Sequence, residues 1–343
     1  MNFCSDNAYG AAPEMLEALA AANDGAAASY GEDALTQRLQ AEMSRIFDRE
    51  VAAFPVITGT AANALALATT VPPHGAVICQ RGSHIVSDEC GAPEFFTHGA
   101  KLVTVEGRDG KLVPEAIDDA LSQFIKGCVH HPQPAAVSVA QASELGLCYA
   151  PREIHAIASL AKRHEMKLHM DGARLANAIA HLGCTPAEAT WRAGVDVLSF
   201  GATKNGALGA EAVVFFDPEQ VRDFEFRRKK SGHLLSKMRF VSAQLVCALE
   251  ENRWLAWAAR ANAFAGRLAR GLAEIGSIEI VHPVQASMIF AFMPDAMVAR
   301  LRAQGASFYE WAPSDGRRTL VRLVTSFMTP ESDIERLIAI ARS

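Results

Sequence analysis

The stretch Ser199-Phe200-Gly201-Ala202-Thr203-Lys204-Asn205 places one lysine shortly after an apolar run, Val195-Asp196-Val197-Leu198, which predicts a β-strand. Small residues surround this lysine, so its ammonium group is expected to lose part of its hydration. Lost hydration lowers the pKa of a lysine and leaves the amine free to attack a carbonyl group. Lys204 is therefore a candidate covalent anchor at the end of a strand.

A carboxylate at the end of another predicted strand complements this lysine. It is Asp171, in His169-Met170-Asp171-Gly172-Ala173-Arg174. This pairing is what a pyridoxal phosphate site needs, because a lysine forms the Schiff base and a carboxylate pairs with the pyridinium nitrogen. Upstream, Thr58-Gly59-Thr60-Ala61-Ala62-Asn63 opens a predicted helix, whose free N–H groups and dipole suit a phosphate. Alone, this hexapeptide is more typical of an ordinary N-cap.

Short apolar runs alternate with segments of helical periodicity over the first two thirds of the chain. The alternation predicts an α/β fold with a mostly parallel sheet covered on both faces, and a helix over 151–164. From about Pro218 the pattern predicts a smaller α+β domain that closes with a helix from Glu331. We predict a large domain over 1–245 and a small one over 246–343. The predicted strands are 76–79, 102–105, 136–139, 167–170, 195–198, 212–216, 278–280, 288–292 and 320–324.

Composition narrows the class of protein. Half of the 343 residues are apolar, which suffices for one large core and a smaller second one. The formal net charge of −5 gives no basic field for nucleic acid or a membrane surface. The seven cysteines are dispersed without a CxxC pair, and no signal peptide or apolar run of about 18 residues is present. These features predict reduced thiols and a cytoplasmic protein, and no metal site is predicted.

Taken together, the motifs above and Ser83-His84 resemble the threonine aldolases, pyridoxal phosphate enzymes of fold type I, the aspartate aminotransferase fold. Residues 88–94, 199–205 and 233–239 resemble the bacterial low-specificity L-threonine aldolase and phenylserine aldolase branch. The resemblance runs from Ser5 to Phe327. It implies a carbon–carbon lyase that cleaves L-threonine, L-allo-threonine and related β-hydroxy-α-amino acids to glycine and an aldehyde. It also implies a homo-oligomer, a dimer of dimers, with active sites between subunits.

The resemblance implies roles for residues that match the family's cofactor site. Lys204 matches the lysine that forms the Schiff base with pyridoxal 5′-phosphate, and Asp171 matches the partner of the pyridine nitrogen. His84 matches an imidazole that stacks on the cofactor and assists proton transfer. The other matches are Gly59 and Thr60 in the phosphate cradle, Arg174 beside the cofactor, and Lys229, which reaches the phosphate of a neighbouring subunit.

The residues matching the substrate site form a clamp for a carboxylate. They are Ser5, Arg174 and Arg322, and a planar guanidinium suits bidentate binding of a carboxylate. Arg322 stands inside an apolar run, where a buried arginine needs an anionic partner. Tyr30 matches an aromatic residue near the site. The resemblance thus implies an α-amino acid substrate.

Two features leave the chemistry at the β-carbon open. The base that takes the β-hydroxyl proton is either His84 or His130, and His131 makes the second assignment uncertain by one position. The chain also departs from the wider family, with Glu144 in Gln141-Ala142-Ser143-Glu144 and with Ser287 where others have asparagine. Glu144 either faces the substrate or caps a turn. The preference for a methyl or an aryl substituent is therefore open.

Two other classes of function compete with the aldolase interpretation. A β-eliminating lyase or an aminotransferase on the same scaffold would use Lys204 and Asp171 equally well. A non-catalytic regulatory relative would be expected to carry an added nucleic-acid-binding segment, for which Met1 to Ser5 leave no room. The full set of candidate site residues favours an enzyme.

Overall fold

A central sheet organises the larger part of the fold. The computed structural model describes residues 1–221 and 223–343. Within these residues the sheet contains the strands β1 (Ala52–Val56), β2 (Gly75–Gln80), β3 (Lys101–Val105), β4 (Gln133–Ala140), β5 (Lys167–Gly172), β6 (Val197–Gly201) and β7 (Glu211–Phe215).

The direction of these strands determines where functional residues meet. Their order is β1-β7-β6-β5-β4-β2-β3, and neighbours are parallel except where β7 meets β1 and β6. This confirms the predicted mostly parallel sheet. The residues that follow β1, β2, β4, β5 and β6 therefore emerge at one edge, which we call the carboxyl edge. Because β7 runs in the opposite direction, its first residue, Glu211, lies at the same edge.

Helices cover both faces of the sheet, as predicted. On one face, Val197, Val213 and Phe215 pack with Leu65 and Phe224. On the other, alternate residues of the same strands pack into the largest apolar core. The helices in this part of the chain are α1 (Pro13–Ala22), α2 (Ala34–Ile46), α3 (Gly59–Thr70), α4 (His84–Ser87), α5 (Ala92–Phe96), α6 (Pro114–Leu121), α7 (Pro151–Arg163), α8 (Leu175–Leu182), α9 (Pro186–Ala189), α10 (Phe224–Lys230) and α11 (Arg239–Leu249).

A smaller antiparallel sheet follows in the last part of the chain, in the order β10-β11-β9-β8. The chain start joins it, since Phe3 N–H donates to the Ser307 carbonyl and Phe3 accepts from Val324 N–H. The predicted domain boundary at 245/246 falls within α11, and the division into domains stays a prediction. The elements are α12 (Arg253–Ala273), β8 (Glu279–Ile280), β9 (Met288–Pro294), α13 (Asp295–Ala303), β10 (Tyr309–Ala312), β11 (Arg318–Val324) and α14 (Glu331–Arg342).

Strand bounds differ from the prediction for identifiable reasons. β1 lies outside the predicted strands. Its Pro55 cannot donate to a ladder, but β1 is the outermost strand of the sheet, and a proline is tolerated in such a strand. β6 begins two residues later than expected, since the Asp196 carboxylate accepts the Leu168 N–H at 2.8 Å and pairs with Lys167 at 3.1 Å. Among the described residues, no helix has both the length and the apolar character needed to span a membrane.

A close approach at the end of β6 generates a stability prediction. A Cβ atom on Gly201 would lie 2.7 Å from Cα and 3.0 Å from the carbonyl oxygen of Ala173, so backbone would have to move. We expect Gly201→Ala to lower the free energy of unfolding by about 1–3 kcal/mol. The measurement is urea unfolding followed by circular dichroism. Gly276→Ala is the control, because a Cβ there meets nothing within 4 Å. Equal stability of the two variants would contradict the prediction.

Candidate active site

Lys204 lies at the carboxyl edge, in the 3₁₀ turn Thr203–Asn205 that follows β6. The turn is held by Asn205, whose Nδ2 donates to the Trp254 carbonyl at 2.7 Å. Removal from bulk water and the nearby Arg174 guanidinium lower the pKa of Lys204, against the opposing effect of Asp6, Asp171 and Glu211. The predicted lysine thus has the lowered proton affinity that a covalent anchor requires.

Asp171 is buried at the end of β5, the strand next to β6. Its Oδ1 accepts from Ala173 N–H at 3.0 Å, and its Oδ2 accepts from Nδ2 of Asn63 at 2.9 Å. Burial opposes ionisation, but the charge of Lys204 and these two donors lower the pKa of Asp171 below its usual value. Asp171 is therefore a buried anion at the carboxyl edge of the sheet.

Asn63, on α3, connects Asp171 to the candidate histidine. The same Nδ2 donates to Oε1 of buried Glu89 at 2.8 Å, and Nδ1 of His84 lies 2.8 Å from that oxygen. The bond to Glu89 raises the pKa of His84, against the effect of burial. Burial raises the pKa of Glu89, and its bonds to His84 and Asn63 oppose that rise. When Glu89 is ionised, its oxygen can only accept, so Nδ1 of His84 then carries the hydrogen of this bond and Nε2 is the nitrogen left to exchange a proton.

Two further carboxyl groups approach the site. Oε1 of Glu144 accepts the backbone N–H of His84 at 2.9 Å, and burial raises the pKa of Glu144 to about 7. Glu144 therefore caps α4 and lies beside His84. Glu211, buried at the start of β7, accepts Ala202 N–H at 3.1 Å, and burial raises its pKa to about 7.

The residues of the predicted carboxylate clamp, Ser5, Arg174 and Arg322, lie near one another, and Asp6 lies beside them. Nε and Nη2 of Arg174 donate to Oδ2 and Oδ1 of Asp6 at 2.8 and 3.1 Å, and Ser5 Oγ donates to Oδ1 at 3.3 Å. Nη2 of Arg322 donates to the Cys4 carbonyl at 3.4 Å. Nε of Arg322 is buried and has no hydrogen-bond partner among the described residues. The free donors of the two guanidinium groups suit an added carboxylate.

Arg322 is also flanked by aromatic rings. Its guanidinium lies 5.2 Å from the ring centre of Tyr309 and 4.8 Å from that of Trp311, both on β10. Such contacts orient a guanidinium without using its N–H donors. They leave Nε of Arg322 available to an anion.

The start of α3 forms a cradle for a phosphate. Thr58 caps the helix, because its side chain accepts Ala61 N–H at 3.1 Å. The N–H groups of Gly59 and Thr60, in the first turn, have no acceptor within the helix. A Cβ on Gly59 would meet nothing within 4 Å, so this helix end opens onto free space.

Pyridoxal 5′-phosphate fits these residues. Lys204 offers the amine, Asp171 a buried anion for a protonated ring nitrogen, and the start of α3 an opening with a positive dipole end for phosphate. A metal does not fit in the same way, since no group of three or more His, Cys, Asp or Glu residues within 1–221 and 223–343 could hold one.

Three further sequence-predicted site residues are exposed in the single chain. Nζ of Lys229 lies 4.2 Å from the ring centre of Tyr30, and both residues are exposed. His130 is exposed in the loop before β4, at the opposite edge of the sheet from Asp171. The eight residues of β4 separate the two edges by roughly 25 Å. Within a single chain the structure therefore does not bring His130 to the site, whereas His84 lies there.

Sequence reasoning assigned no role to four polar residues at this site, namely Asp6, Asn63, Glu89 and Glu211. Glu89 is five residues after His84, and Glu211 directly precedes the apolar run 212–216. A charged residue at the boundary of a buried strand is a signal that could have drawn attention to Glu211. The partners of Asp6 and Asn63 are distant in sequence, so only the fold reveals them.

The bond between Glu89 and His84 generates a prediction about charge. Glu89→Gln removes the carboxylate whose hydrogen bond favours a protonated imidazole, so the pKa of His84 should fall. Nuclear magnetic resonance of histidine-labelled protein, titrated with pH, measures this midpoint. Glu115→Gln, at an exposed position on α6, is the control and should leave it unchanged. An unchanged midpoint in Glu89→Gln would show that this bond does not determine the charge of His84.

Comparison with known proteins agrees with this geometry. A family model described as "Beta-eliminating lyase" matches residues 2–296. The chain is 42% identical to a low specificity L-threonine aldolase of Pseudomonas sp. (strain NCIMB 10558), over 99% of this chain and 97% of that one. Its fold matches a Leishmania major threonine aldolase with a TM-score of 0.94 and 27% identity, covering 99% of this chain and 98% of that one.

The fold type is also confirmed. An aspartate aminotransferase of Rhodobacter sphaeroides has a TM-score of 0.69 at 18% identity, over 100% of this chain and 91% of that one, and shares the fold alone. These likenesses match the predicted fold type I architecture. From the family match and the full-length identity, the chain belongs to the β-eliminating lyase family, in the branch of the low-specificity L-threonine aldolases.

Proposed function

We propose that this chain is a pyridoxal phosphate-dependent aldolase that cleaves L-threonine, L-allo-threonine and related β-hydroxy-α-amino acids to glycine and an aldehyde. The observation that carries the proposal is the meeting of Lys204 and Asp171 at the ends of neighbouring strands, beside a two-arginine clamp. An amine, a buried anion and a carboxylate site are the groups that an amino acid-processing enzyme of this family needs.

The chain's own residues hold the cofactor at three places. Lys204 would attach it covalently, Asp171 would stabilise a positive charge on its ring nitrogen, and the first turn of α3 would receive its phosphate. His84 lies beside them and presents its imidazole to the same space. When bound, pyridoxal phosphate supplies an electron sink for bonds at the α-carbon of an amino acid.

The clamp selects and orients the substrate. Arg174 uses Nε and Nη2 for Asp6, which fixes its plane and leaves Nη1 for the substrate. Arg322 contributes its unpaired Nε. Two guanidinium groups on one carboxylate fix the orientation of the α-carbon, and orientation determines which of its bonds breaks.

His84 moves the proton that cleavage requires. Its Nδ1 is engaged by Glu89, so Nε2 accepts the β-hydroxyl proton as the Cα–Cβ bond breaks and the hydroxyl carbon leaves as an aldehyde. Glu144, whose pKa is near 7, lies beside His84 and can hold a proton during the cycle. A positioned base of this kind contributes about 10²–10⁴ in rate.

Assembly and location complete the proposal. The chain forms a homo-oligomer, a dimer of dimers, in which Tyr30 and Lys229 reach a neighbouring subunit's site. Their exposure in the single chain supports this, as do exposed Phe95 and Phe226. The seven cysteines are all free thiols, which supports a reducing compartment, the cytoplasm. Phenylserine is the aryl substrate to test beside threonine.

Removal of the anchor is the direct test of the cofactor role. Lys204→Ala should lose the visible absorbance of the attached cofactor and reduce aldehyde release from L-threonine by roughly 10³-fold or more. The measurement combines a visible spectrum with trapping of the released aldehyde. Lys101→Ala, at an exposed position on β3, is the matched control. Retained absorbance in Lys204→Ala would show that another lysine is the anchor. Pyruvate and ammonia in place of aldehyde and glycine would assign the protein to β-elimination.

The clamp gives a second prediction, on substrate binding. Arg322→Gln removes one of two guanidinium groups, so KM for L-threonine should rise roughly 10- to 100-fold, because a charged hydrogen bond contributes about 1.5–3 kcal/mol. The visible spectrum without substrate should stay as in the wild type. Steady-state kinetics of both proteins measure the change. A loss of cofactor absorbance with unchanged KM would place Arg322 in the cofactor site instead.

A further inference from the structure

Glu211 occupies a central position that the proposed reaction does not use. It begins β7, which lies between β1 and β6, and it is paired in register with Val56 of β1 and Gly201 of β6. β1 leads to the phosphate cradle, and β6 leads to Lys204. Glu211 is therefore buried between the two chain segments that hold opposite ends of the cofactor.

The carboxyl group of Glu211 contacts the residues that precede Lys204. Oε2 accepts the N–H of buried Ala202 at 3.1 Å, and the nearby Thr203 hydroxyl lowers the pKa of the same carboxyl group. Oγ1 of Thr203 in turn accepts Ala210 N–H at 3.2 Å. Without an acceptor at position 211, the N–H of Ala202 would be buried and unpaired, which destabilises the turn.

The charges around Lys204 give this carboxyl group a second role. The charged groups that act on the lysine are Arg174 and Asp171 near the end of β5, Asp6 near the chain start, and Glu211 at the start of β7. Asp6 is paired with Arg174, and Asp171 is engaged by Asn63 and Ala173 N–H. Among residues 1–221 and 223–343, Glu211 forms no ion pair with an arginine or a lysine, so its charge is available to Lys204.

We propose that Glu211 is a positioning residue that fixes the turn carrying Lys204 and supplies the anion that stabilises a proton on Nζ of Lys204. This role rests on the proposed function of Lys204 as the cofactor anchor. Burial raises the pKa of Glu211 to about 7, and Lys204 and the Thr203 and Ala202 donors oppose that rise. Above this pH the ionised carboxylate favours a protonated lysine nitrogen, and its removal makes that nitrogen easier to deprotonate.

The test uses the full chain loaded with pyridoxal phosphate and two variants that separate charge from geometry. Glu211→Gln keeps an oxygen that can accept Ala202 N–H but removes the charge. Glu211→Asp keeps the charge but is one methylene shorter, so it loses reach to Ala202. Glu17→Gln, an exposed carboxylate on α1, is the control for a change in net charge.

The first readout is the pH midpoint at which the visible band of the bound cofactor changes. The second is the pH dependence of Lys204 arylation after cofactor removal, quantified on the modified peptide by mass spectrometry. In Glu211→Gln both midpoints should move down by roughly one pH unit, a tenfold loss of proton affinity. In Glu211→Asp they should move less, while Tm falls. Glu17→Gln should match the wild type.

The outcomes separate this proposal from the one it rests on. Unchanged midpoints in Glu211→Gln, or an equal shift in Glu211→Asp, would overturn the role of Glu211 as the anionic partner. If Glu211→Gln does not fold, the Asp variant still decides, because a shift as large as one unit there contradicts the proposal. A wild-type protein that shows no visible band with pyridoxal phosphate would instead overturn the proposed function.

Discussion

The buried negative charge of Asp171 is the constraint around which the site is built. A carboxylate removed from water is stable only when donors and positive charge replace its hydration. Here Ala173 N–H and Asn63 supply two hydrogen bonds, and Lys204, in the turn that follows the neighbouring strand β6, supplies the charge. Parallel strands place these groups at one edge of the sheet, so the fold itself brings the anion and the cation together.

Polar groups on two sides of Asp171 also require hydrogen-bond partners. On one side, Asn63 links it to Glu89, which holds Nδ1 of His84. On the other, the clamp couples Arg174 to Asp6 and keeps donors free for a substrate carboxylate. The polar groups thus form two hydrogen-bonded sets, in which Glu89 holds Nδ1 of His84 and Asp6 holds Nε and Nη2 of Arg174. Rigid positioning of this kind is what orients a bound substrate.

Sequence predicted the parts of this arrangement that are local. The hydrophobic runs gave the parallel sheet and helix α7, and the motifs around Lys204, Asp171 and Gly59 placed those residues at element ends, where the structure has them. Contacts between distant segments could not be read in this way. Asp6 meets Arg174 across 168 positions and Asn63 meets Asp171 across 108, and no periodicity encodes such pairs. His130 is the opposite case. Its match to a family histidine did not reveal that it precedes β4 and therefore lies at the opposite end of the strands from Asp171.

We propose that Lys204 is the residue that binds the cofactor covalently. The most direct test is to reduce the purified, pyridoxal phosphate-loaded protein with borohydride and to map the pyridoxyl group by peptide mass spectrometry. We expect a modified peptide that contains Lys204, with Lys229 and Lys237 unmodified. A pyridoxyl group on any other lysine, or none after loading, would contradict it.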